Sequence, residues 1–581
     1  MIGAIFSTAL AAKSRPNILF MLGDDWGWGD VGAYNGGVNA SFALTGTGSR
    51  TPTLDALAAN GTLFTDFHVG QAYCAPSRAS FMSGRWPADL SINTNWNVGP
   101  TGAAPNLAAG NPYQLPLPSG KGMSPFPGGL PNVAYTMQQA GYRTAHYGKW
   151  HLGGLNPNAT SSPVPTDYGF DDSSTYGSPV MAFPGLADEH NRLIGREEGA
   201  DPHWWSADVG DDIRDSGIRF MKEAVGNSTP FYLHLWWHMS HDTIDPRPEQ
   251  LVDFPFNTTC NFPSKELGQT TCPSQIFWGA QTWSDKHRFG PVIRAVDELG
   301  IRDNTYIIFS TDNGAQVRAC ELIRVYTYIV SCTRLTPRLA LSLPLSLSLQ
   351  SNKYSSGKTG KSNAFGNAVG TQGVFRGSKA SLYEGGHRVP FIISGPGVPK
   401  GRVDHSVISS VDWLPTIAEL GGATIKGNTV GLRGSSMADI WHGKKNHVVK
   451  REAGPILWRG GGGPAPCWNR SPSLAIRDGD LKLLISPAAL DLSVPTGRIE
   501  LYNMSVYQLR ELNGDRFESQ NLAAALPEEV QRLSKIVLDW HHSVPKRGTW
   551  GAKTDAQWYQ KGCNDFMFPG LAPAPDTAES A

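Results

Sequence analysis

Residues 17–22, "NILFML", form an unbroken apolar run that stops at Gly23 and two adjacent carboxylates, Asp24 and Asp25. A short run bounded by turn residues predicts a strand buried on both faces, and such strands belong to mostly parallel sheets covered by helices. "NTYIIFSTDNG" repeats the pattern and ends in Asp312 and Asn313. Helix and strand signals alternate between these runs. "TPTLDALAANG" has Pro52 near its start and Gly61 past its end, as helix termini prefer. "VAYTMQQAGYRTAHYGKWHLGG" reads as a helix closed at Gly141, a strand, and then Lys149 and His151. This alternation predicts an α/β sandwich with its chemistry at the carboxyl ends of the strands.

The pattern changes after "SVISSVDWLPTIAELGGA", a last helix of this unit. From about residue 445 the runs "ILWRGGGG", "SLAIRDGDLKLLIS" and "IELYNM" alternate as antiparallel strands, with Arg477-Asp478-Gly479-Asp480 as a hairpin turn. "PEEVQRLSKIVLDWHHSV" follows as an amphipathic helix. We therefore expect a main domain over 14–444, a smaller α+β unit over 445–545 and a loose Pro/Ala-rich tail over 546–581.

One segment interrupts this order. Residues 317–350 end in a Leu/Ser/Pro repeat closed by Gln350. Such codons are pyrimidine-rich, Gln350 can be encoded CAG, and Val317, encoded GTN, would supply a splice donor. The segment reads as a retained intron, with a genuine insertion loop as the alternative.

Fifty Lys and Arg cancel fifty Asp and Glu without a long run of either sign, so neither a nucleic-acid partner nor a membrane surface is expected. Residues 1–13 carry an apolar stretch ending in "ALAA", read as a weak or clipped signal peptide, and later segments lack a spanning apolar run. Sequons at Asn39, Asn60, Asn158, Asn227, Asn257, Asn469 and Asn503 fit a secreted glycoprotein. Trp204, Trp205, Trp278 and Trp283 are candidates for stacking on sugar rings, or for the core.

Asp24, Asp25, Asp312 and Asn313 are hard oxygen donors at two predicted strand ends, a set suited to Ca²⁺ or Mg²⁺. The seven cysteines form no C-x-x-C, which argues against structural zinc. Taken singly, "DD" and "DN" are turn residues, Lys149 and Lys379 are surface lysines, and His151, His238 and His241 are packed histidines. Lys149 and His151 lie two apart, so on an extended segment they share a face.

Together these residues match one family. Cys74-Ala75-Pro76-Ser77-Arg78, with Phe81-Met82-Ser83-Gly84-Arg85, resembles the C-x-P-S-R...G-R signature of the sulfatases. "GYRTAHYGKWHLG" resembles their second signature, and "GDDWGWGD", "WHMSH", "FSTDNG" and "RGSKASLYEGGHRVP" continue the likeness in order over about 15–545. Tyr73 and Ser83 depart from the usual pattern. The spacing of "IRDNTYIIFSTDNGAQ" is similar to the arylsulfatase B-like, N-acetylgalactosamine-4-sulfatase branch.

The resemblance implies an alkaline-phosphatase-like fold and hydrolysis of sulfate monoesters of aryl or carbohydrate alcohols. A phosphonate or phosphate ester hydrolase and an inactive sulfoglycan-binding relative are the alternatives. It implies that Cys74 is oxidised by a formylglycine-generating enzyme in the secretory pathway, for an extracellular, cell-wall or lysosome-like vacuolar protein. The hydrated aldehyde has a second hydroxyl, so sulfate leaves as the aldehyde re-forms. By the same likeness Asp24, Asp25, Asp312, Asn313 and the modified Cys74 hold one Ca²⁺, or Mg²⁺. Arg78 holds the diol and metal ligands, and Lys149 and Lys379 neutralise sulfate oxygens. His241, preferred to His238, and Lys379 protonate the leaving alcohol, and His151 takes a proton during sulfate release. With Cys74 catalytic and Cys320 and Cys332 intronic, Cys260–Cys272 and Cys467–Cys563 are the expected disulfides of an exported chain.

Overall fold

The computed structural model describes residues 15–35, 51–90, 129–152, 164–176, 205–238, 248–251, 273–315, 375–445, 448–460, 472–485, 499–505 and 517–544, with a few short pieces beside them. The expected leader 1–13, the segment 317–350, the tail 546–581, Trp204 and every cysteine except Cys74 lie outside the described residues.

The centre is an eight-stranded mixed sheet. Its strands are β1 (Asn17–Gly23), β2 (Thr62–Phe64), β4 (Arg143–Lys149), β5 (Asp172–Tyr176), β6 (Phe231–Trp236), β9 (Thr305–Thr311), β10 (Phe391–Ser394) and β11 (Arg402–Asp404). They lie in the order β11-β2-β10-β9-β1-β6-β4-β5, and only β10 runs against its neighbours. Short pairs join β3 (Phe67–His68) to β12 (Ile408–Ser409) and β7 (Pro263–Ser264) to β8 (Gln269–Thr270).

The apolar run that predicted β1 is buried at every position because helices cover both faces of the sheet. Ile18, Phe20 and Leu22 pack into one core with α2 (Cys74–Ser83), α3 (Val133–Gln139) and the helix Trp413–Leu420. Leu19 and Met21 point the other way, into a core with α1 (Pro52–Ala59), α4 (Trp205–Gly226) and the helix Gly290–Glu298. The two-residue period of a strand sends alternate side chains to opposite faces, so a run apolar throughout needs cover on both.

The C-terminal strands β13 (Ile456–Arg459), β14 (Leu474–Asp478), β15 (Leu481–Ile485) and β16 (Ile499–Asn503) form an antiparallel sheet, with Gly479 at φ 61° turning the β14–β15 hairpin. The helix Pro527–Ser543 packs on this sheet. Their core continues into the main unit through Trp86, Leu382, Tyr383 and Val411. Trp278 is buried and its indole nitrogen donates to Asp30, so it is a core residue and not an exposed sugar platform. Trp283 stacks on His287 with ring centroids 3.8 Å apart. Among the sequons, Asn60 and Asn227 are exposed.

Candidate active site

Four neighbouring parallel strands, β9, β1, β6 and β4, end at one edge of the sheet. Their registers align Gly23 with Thr311, Leu22 with Trp236 and Gly148 with Trp236. The residues at or just beyond the end of each strand, Asp24 and Asp25, Asp312 and Asn313, His238, and Lys149 to His151, are therefore delivered to one place. This is the position at which open α/β sheets carry their sites. Gly148 makes the β4 delivery possible: its φ is 107°, and a Cβ there would run into the carbonyl oxygen of Trp236 on β6.

Cys74 enters the site as the first residue of α2, a helix buried along its whole length and ended by Gly84 at φ 65°. Its Sγ lies 3.4 Å from Asp24 Oδ1. One turn on, Arg78 donates to Asp312 Oδ2 through Nε (3.0 Å) and Nη2 (2.7 Å), and to the Lys149 carbonyl through Nη1 (2.6 Å). Lys149 Nζ lies 2.5 Å from Asp24 Oδ2. Lys379 Nζ lies 2.7 Å from Asp25. Three carboxylates thus meet three cations, and the buried ion pairs are mutually compensated.

The backbone is strained at three points of this cluster. Asp25 (φ 61°), His151 (φ 59°) and Ala380, next to Lys379 (φ 74°), all occupy the left-handed region. Each costs roughly 1–3 kcal/mol outside glycine, and such strain collects at functional sites. His151 is thereby corrected: it does not share the extended conformation of Lys149 but lies beyond the end of β4, where the chain turns. It is nonetheless buried among the charges of Lys149, Arg78, Asp24 and Lys379.

Burial pushes the Asp312 carboxyl up, to about 6, with Asp24 adding to the push and Arg78 and Lys149 opposing it. Burial also raises the Cys74 thiol, reinforced by Asp312, so the unmodified thiol is a poor nucleophile at neutral pH. On Lys379 burial opposes the charge, but Asp25 outweighs it and the ammonium stays protonated. Burial holds His151 well below its usual range and His238 at about 4. Both imidazoles are neutral at pH 7.

One oxygen or sulfur atom from each of Asp24, Asp25, Cys74 and Asp312 lies within 4.8 Å of the others. Asn313 donates its amide to Asp25 Oδ1 at 2.6 Å, while its own buried Oδ1 has no hydrogen-bond partner. Clustered carboxylates with an orphaned amide oxygen fit a hard divalent cation.

Of the sequence candidates, Asp24, Asp25, Cys74, Arg78, Lys149, His151, Asp312, Asn313 and Lys379 converge here. His241 lies outside the described residues. His238, set aside in its favour, has Nδ1 3.0 Å from Asp24 Oδ2. It stands two residues beyond the point where β6 aligns with β1, as Asp24 does on β1, a register that only the folded sheet supplies.

Residues 16–423 match the sulfatase family model. Arylsulfatase G of Homo sapiens is 25% identical over 434 residues, covering 71% of this chain and 66% of that protein. N-acetylgalactosamine-6-sulfatase of Canis lupus familiaris is 27% identical over 433 residues, covering 71% and 64%. The match thus spans about two thirds of the length of these relatives. The solved structure of Ps i-CgsB in complex with k-i-k-neocarrahexaose shares the fold, with a TM-score of 0.61 and 21% identity over 94% of this chain and 97% of that one.

Proposed function

The chain belongs to the sulfatase family, and on that premise we propose that it hydrolyses sulfate monoesters of aryl or carbohydrate alcohols through a formylglycine made from Cys74. The observation that carries this reading is the meeting of Cys74 with three carboxylates and three fixed cations at one strand edge. Likeness to an N-acetylgalactosamine-6-sulfatase supports a sulfated carbohydrate as substrate.

Asp24, Asp25, Asp312 and Asn313, with the modified Cys74, would hold one Ca²⁺, or less favourably Mg²⁺. When bound, that cation withdraws charge from a sulfate oxygen and lowers the pKa of a coordinated hydroxyl. The aldehyde hydrate supplies one hydroxyl to attack sulfur and a second to release sulfate. The chain's own residues do the rest. Lys149 and Lys379 are fixed cations beside the ligand carboxylates, aimed to neutralise sulfate oxygens as the S–O bond lengthens. Because protein carboxylates and cations balance, the cation's charge remains to hold an anionic ester.

Arg78 fixes Asp312 through a two-nitrogen contact and ties it to the Lys149 backbone, so its role is to hold the ligand geometry. Lys379, charged at neutral pH, is a proton donor to the leaving alcohol, with His241 as a second donor. His151, neutral in its buried position, is the base for sulfate release. His238 orients Asp24. Maturation would require a formylglycine-generating enzyme in the secretory pathway, consistent with an extracellular or vacuolar glycoprotein.

The deciding experiment is a peptide mass across Cys74 from protein produced with that maturation enzyme, together with turnover of 4-nitrophenyl sulfate and 4-nitrophenyl phosphate. Formylglycine at position 74 and preference for the sulfate are expected. A thiol that persists there, or preference for the phosphate, overturns the reading.

A further inference from the structure

Lys379 reaches the site on the loop between Arg376 and Glu384. Inside the loop, the Lys379 N–H donates to the Ala315 carbonyl (3.0 Å) and the strained Ala380 N–H to that of Ala72 (2.8 Å). Both ends are held by one residue of the C-terminal part of the chain. Arg376 Nη1 donates to the backbone carbonyl of Glu518 at 3.0 Å, and the Glu384 N–H donates to Glu518 Oε2 at 2.8 Å. Glu518 Oε1 takes the Lys482 ammonium of β15 at 2.7 Å, and the same ammonium reaches Glu384 Oε1 at 2.8 Å.

Glu518, Lys482 and Glu384 are all buried, and Glu518 is itself left-handed, at φ 51°. That conformation, costing roughly 1–3 kcal/mol, persists only where surrounding contacts over-determine it. His68, Glu384 and His387 also lie within ligand distance of one another, but they are not a metal site. The Lys482 ammonium fills the position, 3.0 Å from His387 Nε2, and Arg388 takes Glu384 Oε2 at 3.0 Å. The cluster already holds its cation, and that cation is a side chain.

We propose that Glu518, anchored by Lys482, is a positioning residue that sets the Lys379 loop against the site. One side chain and its own carbonyl tie the two ends of the loop at a fixed span, and the buried ammonium fixes the carboxylate that does so. Displacing a sulfate-neutralising group by about 1 Å costs on the order of 10²-fold in rate. The C-terminal unit thereby contributes to a site from which it supplies no reacting group. The kinetic part of this inference rests on the sulfate-ester reading; the structural part does not.

The test uses the full chain matured by a formylglycine-generating enzyme, with Glu518→Ala and Glu518→Gln each made alone and with Lys379→Ala. Hydrogen exchange is followed across peptide 376–384 and across β1 and β15, beside hydrolysis of 4-nitrophenyl sulfate. In Glu518→Ala the Lys379 and Ala380 amides are expected to exchange at least ~10-fold faster while β1 and β15 keep their protection. The kcat falls about 10²-fold with KM changed far less. Glu518→Gln, which retains an acceptor for the Glu384 N–H, recovers part of both effects. In the Lys379→Ala background the Glu518 substitutions add no further loss.

Unchanged exchange in 376–384, equal loosening throughout β15, or the same loss of kcat with and without Lys379 overturns the proposal. If Glu518→Ala does not fold, Glu518→Gln carries the same comparisons. A matured wild-type chain that releases no sulfate removes the sulfate-ester reading, while the exchange data still decide whether Glu518 sets the loop.

Discussion

The ammonium of Lys149 lies 2.5 Å from Asp24 Oδ2, with both side chains fully buried. Removing one partner of such a pair strands the other charge, at a typical cost of about 3–5 kcal/mol. Here Asp24 keeps His238 at 3.0 Å and Arg78 at 3.8 Å, so Lys149→Ala should fall at the low end, about 3 kcal/mol by urea unfolding. Its kcat on an aryl sulfate should fall about 10²–10³-fold, the usual effect of removing one group aimed at developing charge.

Asn313 Oδ1 has no partner although it is buried beside three carboxylates, which makes it a sensitive probe of the cation. Ca²⁺ added to chelator-treated protein should raise the unfolding free energy by about 2.7 kcal/mol at a hundredfold excess over Kd. Asn313→Ala should weaken Ca²⁺ binding measured by titration calorimetry. Arg302→Ala, in an exposed ion pair elsewhere, should leave it unchanged.

Asp66 gives a pH dependence of defined sign. Burial would raise its carboxyl, but Arg388, Arg477 and His68 overrun that effect and bring it down to about 2, against an ordinary 3.8. A depressed folded-state value means stability that is fully present above the unfolded value and lost as pH falls from about 4 towards 2. The contribution is about 2 kcal/mol. Asp66→Asn should therefore lower stability at pH 7 and flatten the acid limb of the stability curve between pH 4 and 2, read by chemical unfolding at each pH.

The chain leaves the described main unit at Ala315 and returns at Gln372, and these meet: Gln372 Nε2 donates to the Ala315 carbonyl at 2.5 Å. Deleting residues 317–350 shortens the intervening 56 residues, 316–371, to 22. Loop-closure entropy then favours the deleted form by about 0.8 kcal/mol. The joined chain is expected to fold with a Tm equal to or above that of the full chain, by differential scanning calorimetry. A collapse in Tm would mean that the segment packs as part of the fold.

Gly148 sits at φ 107° against the Trp236 carbonyl. Gly148→Ala should break the β4–β6 register immediately before Lys149, costing more than the ~1 kcal/mol of an ordinary glycine replacement. Loss of soluble folded protein is expected, whereas Gly226→Ala, with open space around it, should be tolerated.

Much of this protein is written locally. The apolar run of β1 needs cover on both faces wherever it lies, because successive side chains of a strand point to opposite sides. The same holds for β9, and the Gly479 turn pins the β14–β15 hairpin. Cys74 and Arg78 were legible through their resemblance to the sulfatase signature, and the paired carboxylates as hard oxygen donors at two predicted strand ends. The sequence therefore determined the class of fold, the order of its parts and most of the residues that meet.

Tertiary structure decided the rest, because register and loop closure sum interactions over residues hundreds of positions apart. The alignment of Leu22 with Trp236 brings His238 to Asp24, and no local pattern distinguishes that histidine from a packed one. The left-handed turn at His151 depends on what surrounds it, and a two-residue spacing alone misreads it as extended. Glu518 stands 139 positions beyond Lys379 and lacks any motif, yet it grips both ends of the lysine's loop. A buried carboxylate acquires such a role only when the fold removes water from it and leaves Lys482 as its compensating charge.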